Sequence, residues 1–269
     1  VTCREYAYRR GDAWRLPEDE FPVTTLDLFH EDQIREFIQT WYAVTGPRRG
    51  WTSDQIRQES EILIQAVGNL PYLKALAPYP LLLTLMTVVH ASTGLPRDRA
   101  DLYERAVNLL LAHWENHIVR DVDGACRVEP STIMKLGIPI RDLRTPLERL
   151  ALEAHERQAM ESDNATGCAD IPKMNLEYEL AQALNRNPEQ TREVVEYVQN
   201  RSGLLQSQDN RVFTFPHRTF QEYLAATGVM RQSDFPDYLR NRVVEDINWW
   251  REVYLLAAGS TRDFPLNIY

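Results

Sequence analysis

Apolar residues recur every three or four positions over most of this chain, and strand-like runs are short, so the pattern predicts a mainly α-helical protein. Ile34, Phe37, Ile38, Trp41 and Tyr42 fall on one face of a first helix, which Gly46-Pro47 ends. Thr52 or Ser53 can cap a second helix through Ala66 that carries Ile56, Ile62, Leu63 and Val67 inward. Gly68-Asn69-Leu70-Pro71 reads as a linker. Pro80 suits the first turn of a helix over 81–91, where a missing N–H costs nothing, and Gly94-Leu95-Pro96 closes that segment. The longest helix is expected over about 98–118, with Leu102, Tyr103, Ala106, Leu109, Leu110 and Trp114 on its buried face.

Helical spacing disappears at the turn-rich stretch 121–126 and resumes near Pro146, which places a subdomain boundary there. Helices are predicted over 147–160, 176–184 and 188–200. A two-strand hairpin over 204–215, turning at Asp209-Asn210, and a helix from about Arg218 come next. Three helices followed by a hairpin wing is the order of a winged helix. Two further helical segments fill 235–259, the last packing through Trp249, Trp250, Val253, Leu256 and Ala257. His217 sits at the junction of strand and helix, in Phe213-Thr214-Phe215-Pro216-His217-Arg218-Thr219-Phe220. Exposed N–H groups and the positive end of the helix dipole gather at such a start, so His217 is placed either to meet a phosphate or simply to cap the helix.

Composition narrows the chemistry. The chain has 269 residues and no apolar run long enough to cross a bilayer. Val1-Thr2-Cys3-Arg4 reads as the end of a strand already in progress, so the chain is read as a fragment, and the loop over 11–22 is acidic and proline-rich. Cys3, Cys126 and Cys168 are too scattered for a disulfide framework or a zinc knuckle, which fits a reducing cytoplasm. A net charge of −9 argues against a broad nucleic-acid footprint. With only Lys74, Lys135 and Lys173, almost all positive charge is guanidinium, suited to bidentate pairing with carboxylate or phosphate. None of these lysines follows a glycine, so there is no phosphate-cradling P-loop, and no GxSxG, HExxH or dinucleotide fingerprint is present. His113 and His117 share a face if the helix runs through both, but no third ligand for a metal is indicated.

Three stretches together resemble the carboxy-terminal part of a NACHT domain, the nucleotide switch of STAND-class signal-transduction ATPases in the AAA+ superfamily. Val1-Thr2-Cys3-Arg4 is similar to the sensor 1 strand end. The stretch from Pro78 through Pro80 to Met86 is similar to the proline-bearing motif of the first helical domain, which Leu95 to Glu104 and Leu109 to Trp114 continue. Residues 213–226 are similar to the winged-helix histidine motif. The resemblance implies the end of an AAA+ α/β nucleotide-binding domain over 1–45, a helical domain over 46–122, a winged helix with a two-strand wing over 123–232, and the start of a further helical region over 233–269. It implies that Arg4 lies near the γ-phosphate, that Pro80 approaches the adenine, and that His217 bonds the β-phosphate of ADP. ATP or ADP with Mg would be held jointly with a P-loop region that this chain lacks, so the segment alone should not hydrolyse nucleotide. Self-association on activation, attached sensor and effector domains, and a role in signalling such as antiviral defence are further implications of the resemblance.

Two other readings stand beside it. A winged helix can bind DNA, with the helix over 188–200 in the major groove, although Glu189, Glu193 and Glu196 on that helix oppose phosphate. A purely helical interaction scaffold without a nucleotide role would need none of Arg4, Pro80 and His217.

Overall fold

The computed structural model describes residues 17, 19–113, 117–120, 126–129, 132–161, 167–185, 187–200, 202–207 and 211–260. The expected strand end at Val1–Arg4, most of the acidic loop and the turn Asp209-Asn210 lie outside the described residues. The chain divides into two compact units, residues 1–91 and 92–269.

The described elements of the first unit are helices. Helices α1 (Glu31–Thr45), α2 (Ser53–Asn69) and α3 (Pro71–Leu76) precede α4 (Pro80–Thr93). Ile34, Ile38 and Tyr42 are the buried face of α1, as the spacing predicts. Thr52 caps α2 and accepts a bond from the Gln55 N–H at 3.3 Å, while the Gln55 side chain accepts from the Thr52 N–H at 2.8 Å. This reciprocal pair satisfies two donors that a bare helix start leaves open. The structure corrects two readings here. Ile62 is exposed and Ile64 takes its place inward. The predicted linker shrinks to Leu70, because α2 continues through Gly68 and Pro71 opens α3 at once. The Tyr42 hydroxyl and His90 Nδ1, both buried, meet at 2.5 Å and tie α1 to α4.

The second unit begins with α5 (Arg99–Asn108), whose start is capped by Asp98 accepting from the Asp101 N–H at 2.9 Å. The long helix predicted over 98–118 does not exist. A π-helical turn at Leu109–His113 ends it, and β1 (His117–Arg120) pairs antiparallel with β2 (Cys126–Glu129). His113 and His117 therefore lie on different elements rather than one helix face. A four-residue turn α6 (Thr132–Lys135) leads to α7 (Ile140–Glu161), at 22 residues the longest described helix. It starts six residues before Pro146, so that proline sits in the second turn rather than marking the beginning.

The winged-helix order follows: α7, β3 (Ile171–Pro172), α8 (Lys173–Ala183), α9 (Pro188–Asn200), β4 (Gln206–Ser207), β5 (Val212–Thr214), then α10 (Arg218–Met230). The wing is three-stranded, ordered β3-β5-β4, with Ile171 opposite Phe213 and Gln206 opposite Thr214. The third strand escapes sequence pattern because two residues carry no periodicity. Asn185, at φ 53°, turns the chain out of α8 in the left-handed conformation that asparagine tolerates.

Helix α10 is the centre of this unit: every residue from Thr219 to Ala226 is buried. It packs along α7, and at Gly228 the approach leaves no room, since a Cβ there would stand 2.7 Å from the Glu148 carbonyl oxygen. Helices α11 (Phe235–Glu245) and α12 (Ile247–Ser260) close over the other side, burying Trp250, Val253, Leu256 and Ala257. Buried His155 of α7 lies with its ring 5.1 Å from Trp249 and 4.8 Å from Trp250. Trp249 Nε1 donates to the His155 carbonyl at 3.2 Å, whereas neither His155 ring nitrogen has a hydrogen-bond partner. Burial, reinforced by the Arg218 charge and opposed by the Trp249 bond, lowers the His155 pKa from 6.5 to about 3.

Two outcomes follow from this packing. Gly228→Ala should destabilise the protein by about 1–3 kcal/mol, read as a lower urea midpoint, because α7 and α10 must move apart to admit the methyl group. Neutral His155 is favoured only in the folded state, so its contribution is complete above pH 6.5 and is lost as pH falls towards 3. Between pH 7.5 and pH 5 the wild type should therefore lose about 2 kcal/mol more than His155→Phe in paired urea titrations.

Candidate functional site

His217 is the N-cap of α10, with extended backbone at φ −148° and ψ 143°. The Thr219 N–H donates to its Nδ1 at 3.3 Å, and the Thr219 hydroxyl lies 2.9 Å from the same nitrogen. A ring nitrogen that accepts a backbone N–H carries no proton, so in the neutral ring the proton is assigned to Nε2. Burial, followed by the charge of Arg99, lowers the His217 pKa below 6.5, which keeps the ring neutral near pH 7. The two ring nitrogens are therefore distinct. Nδ1 closes the helix start, and Nε2–H is the ring's donor at the positive end of a 13-residue helix.

Around this turn the charges are arranged in pairs. Arg218, the first residue of α10, donates from Nε to Glu222 at 2.9 Å, and its guanidinium lies 4.4 Å from the Trp249 ring centroid. Arg99, the first residue of α5, pairs with Glu252 of α12 and stands 5.9 Å from the Tyr103 ring centroid. Tyr103 is 1% exposed and packs against Phe220 and Tyr223. Burial pushes the Glu222 pKa up against the opposing charge of Arg218.

A second network holds α10 in place. Arg144 of α7 donates to Glu104 at 2.6 Å, to Glu148 at 2.7 Å and to the Tyr223 hydroxyl at 2.7 Å. Tyr223 in turn donates to Glu104, and Arg231 donates to Glu148, which is 1% exposed. Burial alone would raise the Glu104 pKa, but the bonds and charge of Arg144 bring it down to about 2. This cluster is internally satisfied and supports the fold under the His217 turn.

Residues 99–229, from Arg99 through Val229, match the family of the winged helix-turn-helix domain C-terminal to NACHT. That segment is similar to this family. No curated protein and no solved structure matches the chain. The NACHT-associated winged helix includes α5, so the match begins ahead of the three-helix core.

The residues predicted from sequence fall on different units of the chain. His217 lies at the head of α10 in the second unit, and Pro80 is exposed at the first position of α4 in the first unit. Arg4 lies outside the described residues. Sequence reasoning missed Arg99, Tyr103 and Glu252 beside the winged-helix histidine. Asp98, a recognisable cap, signals that Arg99 opens a helix, but nothing local links it to a glutamate 153 residues away. Among the described residues no group of three or more His, Cys, Asp or Glu could hold a metal ion, and no helix is long and apolar enough to cross a membrane.

The cap itself is testable. His217→Ala should lower the unfolding free energy by about 1 kcal/mol, whereas His217→Asp should leave it within a few tenths of the wild type, because aspartate caps equally well. Equilibrium urea denaturation reads both.

Proposed function

We propose that this chain is the regulatory part of a NACHT nucleotide switch, in which His217 donates through Nε2–H to the β-phosphate of ADP and holds the winged helix in the resting arrangement. The observation that carries the reading is the division of labour on His217: a neutral, capped histidine with its protonated nitrogen at a helix start, in a winged helix of the NACHT-associated family. The donor set suits a phosphate oxygen, since Nε2–H, the helix dipole and a nearby guanidinium all favour negative charge. Arg4 would sense the γ-phosphate and Pro80 would approach the adenine. The P-loop, the magnesium ligands and any hydrolysis belong to a region outside this chain.

In this mechanism ADP binds the resting arrangement better than the active one, through the His217 contact. Exchange for ATP removes that preference and favours release of the winged helix and self-association, because a ligand shifts an equilibrium only by contacts that differ between the two states. A cytoplasmic signalling role, including antiviral defence, and unidentified sensor and effector partners complete the proposal. Binding to DNA is not favoured. Glu189, Arg192 and Glu196 are the exposed charges of α9, a net negative face for a helix that would have to enter a groove.

In the full-length protein, His217→Asp should retain the stability of the wild type and lose ADP retention, shifting the size distribution towards the assembled form. Unchanged ADP content and oligomer size, measured by released nucleotide and size-exclusion light scattering, would sink the reading. Arg4→Ala should instead keep ADP and fail to assemble with ATP; normal ATP-driven assembly removes Arg4 from the mechanism.

A further inference from the structure

We infer that the outer face of α12 is a self-association surface, on which a second copy of this chain lays the same helix antiparallel, Ile247 against Ala258 and Arg251 against Tyr254 in both directions. The inference rests on the self-association in the reading above and names a surface that carries it.

Helix α12 is apolar on two sides. Trp250, Val253, Leu256 and Ala257 are buried within the unit, whereas Ile247, Tyr254 and Leu255 lie on the outside at 61%, 49% and 45% exposure. Ile247, Arg251, Tyr254 and Ala258, all exposed, follow one another at intervals of four, three and four residues. At about 100° per residue they form one stripe roughly 60° wide, with Leu255 on its flank. That spacing is the seam along which two helices pack side by side. A helix that is apolar over most of its circumference is one that other surfaces cover on both sides.

The stripe specifies its own partner. Its positions are symmetric about the point midway between Glu252 and Val253, so a helix running the opposite way brings Ile247 opposite Ala258 and Arg251 opposite Tyr254. A large aliphatic side chain then meets a small one, and a guanidinium meets the electron-rich face of an aromatic ring, a pairing complementary in charge. Arg251 is 64% exposed and its Nη1 donates to Glu252 at 2.7 Å, so the seam carries no unbalanced charge. Each copy offers the same patch, which makes the contact isologous and closes it at two copies. At 1.5 Å per residue the helix is about 21 Å long, so the contact is smaller than a standard interface and forms in proportion to concentration.

The test uses the full-length protein with ATP, its size followed by light scattering over a concentration series. Ile247→Asp should weaken pairing by about tenfold or more, because it places a carboxylate inside the seam. In the single copy the same change adds an acid to a helix first turn, which the helix dipole favours, so the urea midpoint should hold. Mixing Arg251→Cys protein with Tyr254→Cys protein under oxidising conditions should give a disulfide between residues 251 and 254 of different copies, located by peptide mapping. If Ile247→Asp leaves the size unchanged while His217→Asp shifts it, the α12 contact is overturned and the nucleotide reading stands. If neither alters the size, both fall. A lower urea midpoint for Ile247→Asp with no change in size shows that the chain covers this face itself, and a change in size without the mixed disulfide shows a different partner surface. Either result overturns the two-fold pairing.

Discussion

The seating of α10 against α7 is the constraint on which the second unit depends. Eight consecutive residues, Thr219 to Ala226, are buried, and Gly228 allows a backbone approach that any side chain would prevent. A helix buried on all sides has no freedom to rotate or slide without opening a void on one flank and a clash on the other. Its first turn is therefore fixed from behind. The position of His217 is a consequence of that packing, and the local cap then sets which ring nitrogen carries the proton.

Charge inside the unit reinforces the seating. Arg144 satisfies Glu104, Glu148 and Tyr223 together, joining α5, α7 and α10 around one guanidinium. Removing one member of such a cluster leaves the others buried and unpaired, which costs more than the cluster contributes when whole. The Arg99–Glu252 pair is different in kind. It is partly exposed, and its carboxylate is shared with Arg251.

Much of the fold was legible in the sequence. The bounds of α9 and α10 follow from Pro188 and His217, and the buried face of α12 from the spacing of Trp250, Val253, Leu256 and Ala257. The misreading over 98–118 has a physical cause. Its apolar spacing remains helical through Leu110, and the π-helical turn that breaks it uses the same residue types as an α-helix. Strand β1 lacks the strict alternation that marks a half-buried strand, β2 alternates over four residues only, and β3 is two residues long. All three are defined by a partner strand and not by their own composition.

The sequence by itself determined most of the helices, the winged-helix order and the placement of His217 at a helix start, because periodicity, capping and turn chemistry act over a few residues. Only the tertiary structure decided that this histidine caps through Nδ1 while sitting beside Arg99, that Arg99 is held by Glu252, and that Arg144 gathers Glu104, Glu148 and Tyr223. Those pairings join residues up to 153 positions apart. Their partners are chosen by how α5, α7, α10 and α12 pack, and packing is a property of surfaces that no local window of the chain contains.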